Sequence, residues 1–262
     1  MPANYAHYRF GKLALPKLPA EARQCIGRFR RLYDIGLHGP DIFFYYNPAI
    51  DTAVGQLGHS YHTHSGQLFF SEACKQADSE AAKAYLLGVL GHYCLDSACH
   101  PYVNKMADEG VVPHIVLEKE FDRVLMEETE KDPDHYYPAC GIIPKMSYAK
   151  VIHRAIPLVR TVNIFISLKM MKFLTNLMVC DDHGKKCRVF GRILRLGGRS
   201  IGSVIEHFMT EKPVPQAQAP MPELERLYQE AIPETVEYLK ELYTLREGNF
   251  RLSARWNRTY NG

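Results

Sequence analysis

The sequence has no uninterrupted apolar run of membrane-spanning length; a spanning helix needs roughly 20 such residues. Its opening, MPANYAHYRFG, lacks a charged start followed by an apolar stretch, so no secretion signal is expected. An excess of one charge is also missing. Lys+Arg 32 against Asp+Glu 29 leaves +3, too weak to imply nucleic acid by itself. Seven cysteines, at 25, 74, 94, 99, 140, 180 and 187, are odd in number and form no short disulfide framework. A reduced, cytoplasmic protein is the expectation. Internal repeats, long low-complexity tracts and βαβ alternation are absent too.

What is there is an ordinary globular composition, 46% hydrophobic and 23% charged. The hydrophobic spacing predicts an all-α, multi-helix protein. One helix is expected over 19–33 and another over 53–64. A central helix opens at Asp78-Ser79, with a stop at His100 because Pro101 follows. The next helix starts at Pro113. A long helical run over 148–178 is broken near Pro157, and a final amphipathic run spans 223–247. The domain expectation is a metal-binding core over 1–140 and a C-terminal helical region over 141–262 packed on the same domain.

The strongest chemical signal lies in GHYCLDSACHP (91–101) and PHIVLEKEFD (113–122). His92, Asp96 and His100 are spaced by four, as are His114 and Glu118, and on a helix such residues share a face. Two helices can thus aim five metal-competent groups at one point. Imidazole and carboxylate suit zinc, and carboxylates gathered in a core without a cation are costly to desolvate. A histidine–aspartate phosphohydrolase needs an adjacent His-Asp pair, and a ferritin-like di-iron bundle needs Glu-x-x-His motifs; the chain has neither. His59, His62 and His64 form a further cluster, in which His62 shares a helical face with His59.

With HY-x-x-D, a histidine shortly after, then H-x-x-x-E, the sequence resembles the zinc-dependent phospholipase C family, which shares its fold with zinc-dependent single-strand nucleases. The opening MPANYAHYRFG and the stretch GPDIFFYYNP resemble its intracellular bacterial members. The resemblance implies an all-helical fold around a zinc cluster of two or three ions. Asp41, His62, His92 and Asp96 would hold one zinc. His100, His114 and Glu118 would hold a second. His7 with Asp96 would hold a third, with His59 or His38 as substitutes for the N-terminal residue that processing exposes elsewhere in the family. His62 is preferred over His59 and His64 for the first ion.

The implied activity is phosphodiester hydrolysis by metal-bound hydroxide, with Asp41 as the catalytic residue that orients the water or accepts its proton. The substrate would be phospholipid-like. Arg188, Arg192, Arg195 and Arg199 would form a basic amphipathic segment for peripheral membrane contact, a solvated face being the alternative. Arg123 and Arg154 are further phosphate partners to consider. The rival readings are a nuclease or small-molecule phosphodiesterase with the same metals, and a metal-binding helical protein without turnover.

Overall fold

The computed structural model describes residues 3–179, 206–244 and 252–262, together with Val189 and Arg192. Arg188, Arg195, Arg199 and residues 180–187 lie outside the described residues. Among the described residues the fold is all-α, with no strand. In chain order the helices are α1 (Asn4–Ala14), α2 (Ala20–Arg28), α3 (Arg30–Gly36), α4 (Ala53–Thr63), α5 (Gly66–Gln76), α6 (Glu80–Asp108), α7 (His114–Glu127), α8 (Met146–Ala155), α9 (Thr161–Leu177), α10 (Pro215–Gln218) and α11 (Met221–Thr244). A 3-10 helix spans Gly39–Tyr45. Among the described residues no helix is long and apolar enough to cross a membrane.

Side-chain caps place several helix starts. Thr52 Oγ1 accepts from the Gly55 N–H at 3.0 Å, and Ser79 Oγ from the Ala82 N–H at 3.3 Å. Each satisfies a donor that the first turn leaves open. Two sequence expectations need correction. The helix over 19–33 is two helices, interrupted at Phe29, whose φ/ψ of −116°/33° leaves the helical region. The central helix does not stop at His100; it runs through Pro101 to Asp108. Proline removes one intrahelical bond, but buried Cys99 and Val103 hold the helix on either side of it. Pro233 likewise lies inside α11.

The chain forms two compact units. The first comprises 1–6, 102–140 and 173–226; the second comprises 7–101, 141–172 and 227–262. In the first, α7 supplies buried Leu117, Phe121, Leu125 and Met126. Its Asp122 accepts the backbone N–H groups of Tyr5 and Ala6 at 3.1 and 2.8 Å, so it caps the start of α1. In the second, α3 and α6 cross with almost no space between backbones. A Cβ on Gly36 would lie 2.2 Å from the Tyr85 carbonyl, and one on Gly88 2.2 Å from that of Tyr33. This crossing carries the 3-10 turn at 39–45 up to the histidine face of α6. The core around it includes Phe10, Tyr33, Phe43, Phe70, Tyr93 and Trp256, all fully buried.

Candidate metal centre

Asp96 is the hub of the second unit. Its Oδ1 faces His7 Nε2 at 3.2 Å and His100 Nε2 at 3.4 Å; its Oδ2 faces His92 Nε2 at 3.0 Å and His62 Nε2 at 3.9 Å. Continuation of α6 through Pro101 keeps His100 one turn from Asp96, where the i, i+4 rule puts it. The 3-10 turn adds Asp41, whose Oδ1 lies 3.0 Å from His62 Nε2 and 3.8 Å from His92 Nε2. Ligand atoms of His7, His92 and Asp96 lie within 4.8 Å of one another, as do those of Asp41, His62 and His92. His59 and His64 are exposed; His59 rests against Phe44 at 4.4 Å.

Gly39 lets the turn approach. Its φ of +46° is left-handed, and a Cβ there would come 2.3 Å from His92 Cδ2. A glycine is required on both counts. His38, just before it, is buried, and its Nε2 has no hydrogen-bond partner among the described residues. Burial, then His7 and His92, push its pKa down to about 3.

The first unit places His114 and Glu118 together on α7. His114 Nε2 is 3.2 Å from Glu118 Oε1, and its Nδ1 is 2.9 Å from Asn104 Oδ1. Arg123, a phosphate partner considered from the sequence, is buried and committed to Glu120 and to the Thr210 carbonyl. Arg154 is exposed and pairs with Asp78 at 3.9 Å. Cys94 and Cys99 are buried.

Protonation decides whether these groups fit a cation. His62 Nδ1 lies 2.8 Å from the Gly58 carbonyl. A carbonyl only accepts, so Nδ1 carries a hydrogen. In the neutral ring Nε2 then presents a lone pair to Asp41, and either a proton or a metal ion must stand between them. A ring nitrogen that donates to backbone while the other faces the ion is the usual support of a metal-bound histidine. His92 carries the argument further. It is fully buried, stacks on His7 at 4.2 Å between centroids, turns Nε2 to Asp96 Oδ2 at 3.0 Å, and has no hydrogen-bond partner at Nδ1 among the described residues. Burial lowers its pKa despite Asp96. Neutral imidazoles around ionised carboxylates are the donor set that a divalent ion takes.

The carboxylates stay ionised. Burial alone would raise Asp96, but His100, His92 and His7 hold it well below the usual range. Asp41 is likewise lowered against its own desolvation by His92 and His62. Burial opposes protonation of His62, and the contact with Asp41 outweighs it, raising its pKa.

Sequence reasoning missed Tyr260. Its ring is fully buried and lies 4.9 Å from His62 and 5.7 Å from His92. No local spacing links position 260 to these histidines, and only the fold brings them together.

A family model described as zinc dependent phospholipase C matches residues 6–157. That range contains every sequence-assigned site residue and excludes Tyr260. No curated protein and no solved structure matches the chain.

Proposed function

Because the chain belongs to the zinc dependent phospholipase C family, we propose that its histidine–carboxylate cluster holds two or three zinc ions and serves phosphodiester hydrolysis. The observation that carries the reading is the convergence of four imidazole Nε2 atoms, at 3.0–3.9 Å, on the two oxygens of buried Asp96. Asp41, His62, His92 and Asp96 are assigned to one ion, and His7 with Asp96 to another. His100, His114 and Glu118 are assigned to a third.

Zinc held there would supply Lewis acidity to the phosphoryl oxygens and a water whose pKa falls to about 7. Asp41 is assigned to orient that water and take its proton. Its side chain is 15% exposed against 4% for Asp96, so Asp41 is the carboxylate within reach of an entering substrate. Its Oδ1 faces His62 and His92. The low pKa of Asp41 keeps it ionised and ready to accept. Asp96, enclosed by imidazoles, bridges ligand sets and has no such freedom. The proposed substrate is phospholipid-like, following the family.

Protein purified without added metal should carry two or three zinc atoms per chain by elemental mass spectrometry. His92→Ala and His114→Ala should each reduce that number, lowering zinc affinity by about a hundredfold or more. The zinc-loaded protein should hydrolyse bis-para-nitrophenyl phosphate. Phosphatidylcholine vesicles should be cleaved in preference to a single-stranded oligonucleotide; the reverse order would turn the substrate assignment toward a nuclease. No zinc, or one zinc unaffected by either substitution, would remove the enzymatic reading.

A further inference from the structure

Residues 252–262, in the second unit, are built into the wall of the cluster. The Ser253 N–H and hydroxyl both donate to the Glu241 carboxylate, at 2.8 and 3.0 Å. Trp256 is fully buried against Phe70 and Tyr238, with centroids 5.1 and 5.0 Å apart. The Arg258 carbonyl accepts from the Tyr93 hydroxyl at 3.0 Å and the Gly66 N–H at 2.9 Å. Asn261 donates its side-chain amide to the His62 carbonyl at 3.5 Å. These anchors flank Tyr260 and hold its ring among His62, His92 and Tyr93.

The Tyr260 hydroxyl is fully enclosed and has no hydrogen-bond partner among the described residues. A buried hydroxyl without a partner is costly and rare. A tyrosine hydroxyl keeps its proton at neutral pH and is a donor. No carboxylate among the described residues comes within hydrogen-bonding distance to accept from it.

We infer that Tyr260 is a substrate-binding residue, donating a hydrogen bond to a phosphoryl oxygen of an anion held at the histidine–carboxylate cluster. The inference rests on the zinc phosphodiesterase reading and adds to it a residue outside the region that the family model matches. Tyrosine suits the task. It brings a donor without adding charge to a site already crowded with ligands, and its ring excludes water from the contact. A hydrogen bond to a charged oxygen in such a wall is about twice as strong as a neutral one.

Full-length Tyr260→Phe tests this, with inorganic phosphate as the probe. Zinc per chain and thermal midpoint should stay at wild-type values, because the hydroxyl engages no described residue. Phosphate affinity of the zinc-loaded protein, measured by titration calorimetry, should fall about tenfold. Equal phosphate affinity in the two proteins would overturn the inference, leaving Tyr260 as packing. Loss of zinc or a fall of more than a few degrees in the midpoint would also overturn it, by showing a structural role. If wild type holds zinc but no phosphate, the inference fails while the metal reading stands. If wild type holds no zinc, both fail.

Discussion

In the first unit, Glu120 is fully buried and is met by Arg123 at 3.0 Å and Lys119 at 3.6 Å. In the second, Asp96 is buried almost as deeply, and the partners that meet its oxygens at 3.0–3.9 Å are four imidazoles. Both carboxylates need a compensating cation. Glu120 finds it in the Arg123 guanidinium, a group that is not deprotonated in proteins, with the Lys119 ammonium beside it. The partners of Asp96 can all become neutral, and as neutral rings they offer lone pairs. The first arrangement is closed by the chain itself. The second is completed by protons or by a metal ion, which separates an ion-pair network from a candidate metal centre.

Breaking each cluster at its carboxylate gives the largest expected effects, of different kinds. Asp96→Asn should lower kcat/KM on the order of a thousandfold and reduce bound zinc. It should cost the metal-free protein little stability, since the surrounding imidazoles can shed protons. Glu120→Gln should leave zinc per folded chain unchanged. It should destabilise the fold by about 3–5 kcal/mol, because Arg123 cannot discharge. Zinc analysis and urea denaturation of both variants check the pair. Similar stability losses in the two would erase the distinction.

The same contrast can be sharpened by pH. In the metal-free protein, His38 and His92 have lowered pKa values. For them the unfolded chain binds more protons, so stability rises with pH up to about 6.5. His62 is shifted upward; its contribution is fully present below 6.5 and is lost as pH rises through its folded value. Asp96 is lowered, so its contribution is present above the unfolded value and is lost only in acid. On the proposed metal assignment, zinc would take the place of the His62 proton. The gain in thermal midpoint on adding zinc should therefore widen from pH 6 to pH 8. Zinc affinity should rise by up to about tenfold per pH unit for each proton displaced. Asp122, pushed up to about 8 by burial, weakens both forms over this window and so does not produce the difference. A zinc effect independent of pH would contradict the metal assignment of His62.

How much of this was legible in the sequence follows the range of the interactions. His92, Asp96 and His100, and likewise His114 and Glu118, announce themselves because helical periodicity turns a spacing of four into proximity. His62 stood out only by sharing a helical face with His59, and the family resemblance was needed to assign it, Asp41 and His7 to the cluster. The persistence of α6 through Pro101 ran against local preference, since burial on both flanks outweighs one lost hydrogen bond. Tyr260 lies 198 positions from His62 in sequence and meets it through tertiary packing alone. The break at Phe29 had no proline or glycine to signal it.

Two left-handed glycines set the finest comparison between the regions. Gly39 has φ +46° and would place a Cβ 2.3 Å from His92; Gly110 has φ +70° and nothing within 4 Å of such a Cβ. Both alanine variants pay for strained backbone, about 1 kcal/mol or somewhat more. Only Gly39→Ala also drives an atom into a ring that packing holds on both sides, with His7 stacked on one face and Tyr260 close by. Its collision is with a residue proposed as a metal ligand, so the variant should lose about tenfold or more in zinc affinity beyond its stability cost. Gly110→Ala should lose stability alone. Parallel thermal melts and competitive zinc titrations would read the two effects separately. Equal zinc affinities would mean that His92 can shift without consequence, and that its position under Gly39 serves packing rather than metal binding.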